Sequence, residues 1–373
     1  MSRHRWNLFA LSVLVLGGVA WLLASAPPRT PGTALASGSP AMSTGGTAGY
    51  PSLAPTFAMG SPSGVPGLLP AATPGVTPSS PAVPTPAATP AKTAVPTVAA
   101  IVPAGPCPVF PASNVWNRDI STLPVAADSA TLIASIGLDA NLHPDFSATG
   151  YGIPINVVGA STPRVAVSFL YDDESDPGPY PIPADPLIEG GSDRHVILWD
   201  KADCTLFELF AAVMGGGAWH AGSGAIWDLR SNALRPDGWT SADAAGLPIL
   251  PGLVRYDEVK AGAIRHALRF TAPQTRTSHI YPARHDAGAS GSTSLPPMGT
   301  RVRLKSSVDI SGFGPQARVL LEALKRYGMI LADNGSPWYV TGAQDPHWND
   351  DELHALNQLG GSDFEVVDTS GLH

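Results

Sequence analysis

The first 105 residues contain no aspartate or glutamate, and after Arg5 their only charged side chains are Arg29 and Lys92. Large apolar side chains are also sparse over residues 27–105, where frequent prolines remove backbone hydrogen-bond donors. Such a composition cannot bury enough apolar surface to balance the entropy of folding. These absences exclude a packed core from this stretch, and they predict a disordered Pro/Ala/Thr/Ser-rich linker.

A basic and apolar segment precedes this linker. Arg3 and Arg5 are followed by an uncharged apolar run over residues 8–26. About 20 apolar residues are needed to cross the hydrocarbon core of a membrane, and a basic start before an apolar run is typical of a secretory signal. Residues 1–26 are therefore predicted to be a signal peptide or a signal anchor. The working domain is expected outside the cell, either secreted or tethered to the outer face of the cytoplasmic membrane.

The rest of the chain is acidic. Four of the 22 lysine and arginine residues precede Pro106, and none of the 30 acidic residues does, so 18 basic and 30 acidic residues leave residues 106–373 with a net charge of −12. A domain this acidic repels phosphate backbones, so nucleic acid is not an expected partner. The remaining length suits one large domain with its own core, and residues 106–373 are predicted to be a single globular unit.

Cysteine is almost absent from the chain. The two cysteines are Cys107, at the start of the predicted domain, and Cys204, in its middle. Two cysteines in an exported chain usually pair, and a disulfide between them is the prediction. A catalytic thiol is the disfavoured alternative, because nothing in the sequence indicates a neighbouring base.

The hydrophobic spacing predicts a mainly β domain. Helical spacing and cap residues predict short helices near the two ends of the domain, at residues 127–136, 315–327 and 350–359. Alternating patterns bounded by Gly, Pro and Asp predict strands at residues 164–170, 195–199, 205–210, 225–229, 264–271 and 300–304. Since strands and helices do not alternate, the predicted fold is a jelly-roll-like β-sandwich with a few short helices at the ends.

One predicted hairpin yields a candidate for catalysis. If Lys201 and Ala202 form a two-residue turn, His195 faces Glu208 across the strands. A carboxylate beside an imidazole fixes its tautomer and raises its pKa, which suits a general acid or base. A buried structural ion pair is the alternative, favoured by the apolar Ile197 on the same face.

Acidic residues at the ends of predicted strands are candidates for a catalytic pair of carboxylates. Glycoside hydrolysis uses two such groups, about 5–5.5 Å apart for retention and about 6.5–9.5 Å apart for inversion, and any two strands can supply them. Glu208 and Asp228 rank first, with His195 tuning Glu208.

Aromatic residues in the predicted loops are candidates for substrate binding. The glycine-rich run at residues 215–224 contains Trp219 and His220, and so many glycines suggest close approach of a ligand, with the indole as a sugar platform. A loop with a core-capping tryptophan is the alternative. Tyr180 and Trp338 are further predicted sugar contacts.

An acidic run at residues 172–176 precedes a turn glycine and places oxygen ligands on alternate positions. A structural calcium is one prediction, although the remaining ligands of an EF-hand loop are missing. The alternative is a solvated loop or the lip of a substrate site, to which Asp176 contributes together with Tyr180.

Two families of motifs are missing. The sequence has no Gly-x-Ser-x-Gly elbow, and it has no His-x-His, His-Glu-x-x-His or paired-cysteine spacing of a zinc site. A metal site would have to be assembled from separate strands, with candidate ligands His195, His220, His266 and His285. His266 alternates with apolar residues, which favours a core position.

Four stretches of the chain carry a resemblance to a known family. The domain resembles a family of uncharacterised secreted bacterial β-rich domains, over nearly all of Phe110 to Leu372, in residues 238–248, 254–259, 264–270 and 327–336. The resemblance implies an exported domain joined to linkers or surface modules, and it implies no catalytic residues.

The sequence thus favours an extracellular polysaccharide as partner and a glycoside hydrolase that uses paired carboxylates and requires no cofactor. A non-catalytic carbohydrate-binding or adhesion domain, and a metal-dependent enzyme with histidine ligands, are the alternatives. The membrane is an expected partner only for the first 26 residues.

Overall fold

The computed structural model describes residues 107–372, and the structural statements below concern that range. The predicted export segment, residues 1–26, and the predicted linker, residues 27–105, lie outside the described residues. Within the described range, no helix has the length and apolar character needed to span a membrane.

Four short α-helices are present, and three of them lie where helical spacing and end signals coincide. Proline stands at the first turn of the third helix, and the Asn349 side chain accepts a hydrogen bond from the Glu352 amide at the start of the fourth. The three predicted helices are confirmed, and a helix between strands is added. The helices are α1 (Ser129–Gly137), α2 (Tyr256–Lys260), α3 (Pro315–Arg326) and α4 (Asp350–Ala355).

Fifteen short strands are distributed over the described residues. Strands form at all six predicted positions, although the first splits in two and the fifth begins only at Leu268. The strands are β1 (His143–Asp145), β2 (Ile155–Val158), β3 (Arg164–Val165), β4 (Val167–Phe169), β5 (Tyr180–Pro181), β6 (Val196–Asp200), β7 (Thr205–Phe210), β8 (Val213–Gly215), β9 (Ala218–Ala221), β10 (Ser223–Asp228), β11 (Leu268–Ala272), β12 (Arg301–Leu304), β13 (Met329–Asn334), β14 (Tyr339–Thr341) and β15 (Phe364–Val366).

These strands build sheets of mixed direction. The largest sheet has the order β1-β14-β11-β13-β12-β15, and a four-stranded sheet has the order β10-β7-β6-β2. Two smaller sheets are β4-β9-β8 and β3-β5. The mainly β class is confirmed. The jelly-roll sandwich is not confirmed, because the pairs β1/β14, β11/β13, β2/β6 and β4/β9 are parallel, whereas a jelly roll pairs antiparallel strands.

The four-stranded sheet is buried on both faces. In β6, Ile197 and Trp199 belong to the main core, which also contains residues of the six-stranded sheet and of α1 and α3. Val196 and Leu198 alternate with them and belong to a second core, which includes Trp219 from the three-stranded sheet. Because side chains alternate across a strand, a strand buried on both faces reads as a continuous apolar run.

The β6–β7 hairpin has a different register from the predicted one. Ile197, and not His195, lies opposite Glu208, so the predicted register is wrong by two residues. The turn needs four residues, because the Asp200 carboxylate accepts hydrogen bonds from the amides of Ala202 and Asp203. A shift by two preserves the face, so His195 and Glu208 remain on the same side of the sheet.

The glycine-rich run forms a hairpin. Gly216 and Gly217 have φ values of 59° and 82° and make the tight turn between β8 and β9. Trp219 on β9 points into the second core and is 8% exposed. The glycines therefore serve the turn and the strand pairing.

The disulfide between Cys107 and Cys204 is confirmed, with a Cα–Cα distance of 5.2 Å. It joins the first described residue to the β6–β7 turn across a sequence separation of 97 residues. Closing so long a loop removes many conformations from the unfolded chain.

We expect the substitution Cys107→Ser to lower the free energy of unfolding by about 2–4 kcal/mol, as is typical for a disulfide that closes a long loop. Urea unfolding without reductant measures this difference. Reductant should bring the wild type to the stability of the variant and leave the variant unchanged. Equal midpoints for the oxidised wild type and the variant would contradict this account.

Candidate functional site

A cavity of about 280 Å³ opens where strand ends and two loops meet. Its lining comes from five segments: the residues after β4, the end of β7, the start of β10, a loop at residues 240–244 and the end of β13. We call it the acidic cavity, since three of its lining residues are carboxylic acids. Its lining comprises Tyr171, Glu174, Phe210, Ser223, Thr240, Ser241, Ala242, Asp243, Ala244, His285 and Asp333.

A β-bulge brings Asp333 to the acidic cavity. Leu331 pairs with Phe270 of β11, but Thr271 pairs with Asp333, so β13 gains one residue at Ala332. The Ala332 carbonyl accepts a hydrogen bond of 2.9 Å from the amide of Ala245. Bulges re-aim side chains at strand ends. Here the bulge ties β13 to the loop that contains Asp243.

Asp243 forms a buried ion pair with Arg269 of β11. The guanidinium donates to both carboxylate oxygens, at 3.1 and 3.0 Å, and also to the Thr341 hydroxyl of β14 at 2.7 Å. Both side chains are at most 5% exposed. Burial alone would lower the pKa of Arg269, but the neighbouring Asp243 raises it above its usual range. Burial raises the pKa of Asp243, and the charge of Arg269 and its hydrogen bonds oppose that shift. The two-point contact with a guanidinium is the geometry of an ion pair.

Asp333 lacks such a partner. Its carboxylate receives one hydrogen bond, from the Asn334 amide at 2.7 Å. Burial, followed by the negative charge of Asp243, raises the pKa of Asp333 from 3.8 to about 7. Asp333 is thus a carboxylic acid that holds its proton at near-neutral pH beside a cavity.

His285 and Glu174 face each other on another wall. His285 Nδ1 lies 2.8 Å from the Ala244 carbonyl oxygen, which can only accept, so Nδ1 carries a hydrogen. The other ring nitrogen, Nε2, lies 3.8 Å from Glu174 Oε2, which also accepts from the Thr240 amide at 3.0 Å. In the neutral ring Nε2 has a free lone pair. This wall therefore offers a base and a carboxylate.

Arg235 holds the acidic run at residues 172–176 in place. Its guanidinium donates to the Asp176 carboxylate at 2.5 Å and to the backbone carbonyl oxygens of Glu174 and Thr240. Glu174 and Asp176 thus satisfy protein donors. No group of three or more His, Cys, Asp or Glu side chains within residues 107–372 is arranged to hold a metal ion. The predicted calcium is not shown.

His195 lies behind the cavity wall. Its Nδ1 is 2.5 Å from Glu189 Oε2 and its Nε2 is 3.0 Å from the Ala242 carbonyl oxygen, so both nitrogens face acceptors. Burial alone would lower the pKa of His195, but the hydrogen bond to Glu189 raises it. His195 is therefore an imidazolium that fixes the loop at residues 240–244, and its partner is Glu189, not Glu208.

The structure does not bring Glu208 and Asp228 together. Glu208 pairs with Ala225 of β10, so Asp228 lies three positions along the strand and on the opposite face. Glu208 is fully buried and accepts hydrogen bonds from the amides of Ile249 and Leu250. Burial nonetheless raises the pKa of Glu208 to about 7. Asp228 is exposed and accepts from the Arg230 amide.

Two of the predicted aromatic contacts are core residues. Trp338 is fully buried and stacks between Phe270 and Phe364, with ring centroids 5.6 and 5.1 Å away. Tyr180 is fully buried and donates to the Asp176 carbonyl. Neither ring, nor the largely buried Trp219, lines the acidic cavity.

The remaining predicted residues lie elsewhere. His220 is exposed on the three-stranded sheet, where Nδ1 is 2.6 Å from the Ser168 hydroxyl. His266 is buried and lies between the Ala267 carbonyl and Glu258, whose carboxylate also binds Arg255. Of the four candidate histidine ligands, only His285 lines the acidic cavity.

Sequence reasoning misses most of the acidic cavity. Asp333 ends an apolar run, Met329–Ala332, that lies outside the predicted strands, and an acid at the end of a buried strand is the signal that could have identified it. Glu174 enters the sequence analysis only as part of the acidic run. Arg269 reads as the outer face of a strand, and nothing local indicates its pairing with Asp243.

The chain matches no protein-family model, no curated protein and no solved structure. The resemblance to secreted bacterial domains therefore stays a prediction. The geometry and charge of the acidic cavity are the basis on which a function can be assigned.

The raised pKa of Asp333 makes stability depend on pH. The folded state holds a proton that the unfolded state releases above about pH 4. Asp333 ionises in the unfolded state first, so the free energy of unfolding falls as pH rises from about 4 to about 7. We expect Asp333→Asn to gain stability relative to the wild type over this range, with a constant difference above it. Urea unfolding across pH measures the difference, with the exposed-residue variant Asp173→Asn as control. A difference between Asp333→Asn and the wild type that does not change with pH would contradict the assignment.

Proposed function

We propose that this protein is a polysaccharide-active enzyme, a glycoside hydrolase whose acid and second carboxylate are Asp333 and Glu174. The observation that carries the proposal is the position of both groups on the wall of one cavity, with Asp333 protonated near neutral pH. Glycoside hydrolysis needs a carboxylic acid with a raised pKa and an ionised partner.

The roles of the two groups are inferred from their surroundings. Asp333 is buried beside the charge of Asp243, so it can donate a proton to the oxygen of the departing sugar. Glu174 is held by the Thr240 amide and faces His285. It either attacks the sugar, after which deprotonated Asp333 accepts a proton from the water that hydrolyses the intermediate, or it accepts the proton of the attacking water itself.

The rim of the cavity supports a sugar as ligand. Tyr171 is 47% exposed at the opening, and Phe210 lines the wall. Aromatic faces suit the apolar faces of sugar rings, while hydroxyl groups such as that of Thr240 suit their oxygens. These rings replace Trp219, Tyr180 and Trp338 as the proposed platforms.

We place this reaction outside the cytoplasm. The basic and apolar start at residues 1–26, the linker composition of residues 27–105 and the disulfide of the domain support export, because disulfides persist in oxidising compartments. A tethered domain can reach a bulky polymer that cannot enter a cell.

We expect Asp333→Asn and Glu174→Gln each to lower kcat/KM on a polysaccharide by about 100-fold or more, the contribution of a positioned acid or base. New reducing ends from the full-length protein on a panel of neutral, amino-bearing and uronate polysaccharides measure turnover. Asp173→Asn, in the same loop but outside the cavity, should retain activity. Loss of activity in Asp228→Asn alone would favour the carboxylates derived from the sequence, and binding of a glycan without product would favour a binding domain.

The pH profile of kcat/KM tests the role of Asp333 independently. A general acid works only while protonated, so activity should fall as pH rises through about 7, the pKa of Asp333. The dissociation constant of the substrate, measured over the same pH range, should show no matching change. Activity that rises through this range would assign Asp333 the role of a base.

A further inference from the structure

The acidic cavity has an unusual balance of charge. Its titratable lining residues include Glu174, Asp243, His285 and Asp333, and neither lysine nor arginine is among the described residues that line it. Asp243 is neutralised by Arg269. The Glu174 carboxylate has no arginine or lysine partner among the described residues, and its nearest basic group is His285, with Nε2 at 3.8 Å from Glu174 Oε2. Apart from His285, the lining therefore offers a ligand carboxyl groups and no cation.

The two arginines behind the cavity lining are buried and already bound to protein partners. Arg269 donates to both Asp243 oxygens and to Thr341, and it is buried. Arg235 is 6% exposed and donates to Asp176 and to two backbone carbonyl oxygens. A carboxylate or sulfate on a substrate would find no free cation here and would meet Glu174. Burying a charge without a partner is costly.

The cavity leaves few polar atoms for a ligand. Nδ1 of His285 donates to the Ala244 carbonyl oxygen, so only Nε2 of that ring is available, and it lies 3.8 Å from Glu174 Oε2. Asp333 accepts from the Asn334 amide through Oδ1, so the protonated acid carries its O–H on the other oxygen, and Glu174 is left as the carboxylate acceptor of the lining. Tyr171 and Phe210 line the same cavity. Carboxylates and aromatic faces together are the groups that recognise an ammonium ion.

We propose that the substrate is a glycan whose sugars carry free, protonated amino groups. This inference rests on the proposed function, because it names the substrate class of the same cavity. An ammonium group donates three hydrogen bonds and carries the charge that the cavity lacks. Uronate and sulfated glycans are excluded by the same electrostatics.

Binding of two matched oligomers tests the proposal. The probes are a glucosamine hexamer and an N-acetylglucosamine hexamer, which differ in the charge of the amino group. Calorimetry at about pH 6, where amines are protonated, measures the dissociation constants. It is done with the wild type and with Asp333→Asn, and the variant is expected to leave the oligomer uncleaved. We expect the glucosamine hexamer to bind at least about tenfold more tightly. The ratio should shrink as salt rises from about 0.05 to about 0.5 M, because salt screens the charges.

Variants locate the effect in the cavity. Glu174→Gln keeps the shape of the side chain and removes its charge, so it should reduce the preference for the glucosamine hexamer. Asp173→Asn removes a charge from the same loop outside the cavity and should leave the preference unchanged. Loss of preference in both variants would indicate a long-range effect of net charge and would overturn the proposal.

The outcomes separate this proposal from the hydrolase. Equal binding of the two hexamers, or tighter binding of a galacturonate hexamer, overturns the amino-sugar proposal, even if a neutral polymer is cleaved. Preferred binding of the glucosamine hexamer without any product from the wild type supports the amino-sugar proposal and rejects the hydrolase. Binding of none of these oligomers overturns the amino-sugar proposal, and turnover on the polysaccharide panel then decides the hydrolase.

Discussion

The buried pair of Asp243 and Arg269 is the interaction on which the site depends. Arg269 on β11 joins the loop at residues 240–244 to Thr341 on the neighbouring strand β14. Removing one partner of a buried pair leaves an uncompensated charge and costs about 3–5 kcal/mol. The pair therefore fixes the loop that forms the floor of the acidic cavity, and it also sets the charge beside Asp333.

The buried charges around this floor are nearly balanced. The two ion pairs, Asp243 with Arg269 and Glu189 with His195, each combine a carboxylate with a cation. Asp333 lies close to them without a cation of its own, and its ionisation would add an unbalanced negative charge. This explains why the pKa of Asp333 rises to about 7 while that of Glu189 is lowered, since burial, which would raise it, is outweighed by the hydrogen bond to His195.

Local patterns predicted local structure well. The helix at Pro315–Arg326 has a proline at its first turn, and the disulfide is the pairing expected of two cysteines in a chain predicted to be exported. The order of the strands in the sheets could not be predicted from local patterns, because parallel pairs join segments that are distant in the chain. Trp338 illustrates the limit for side chains. A tryptophan in a loop-like stretch reads as a platform, but the partners that bury it, Phe270 and Phe364, are known only once the sheet forms.

The acidic cavity could not be predicted either, because it depends on the pairing of strands that are distant in the chain. Its floor depends on one extra residue in β13, which aligns Asp333 with Thr271 and leaves the Ala332 carbonyl for Ala245. A bulge changes the face of the sheet on which the following side chains lie, but the apolar pattern of the sequence around it does not reveal the bulge. The prediction of the β6–β7 hairpin was wrong only in register. A four-residue turn shifts the pairing by two residues, so each side chain stays on the predicted face of the sheet.

Glu208 and Asp333 show why geometry, and not proton affinity alone, must assign a catalyst. Burial raises the pKa of both carboxyls to about 7. Glu208, however, is bound by two backbone amides inside the core and has no access to a substrate. Asp333 has one backbone partner and lines an open cavity. A buried acid that a loop holds in place stabilises that loop, whereas an acid with a free oxygen at a cavity can transfer its proton to a ligand.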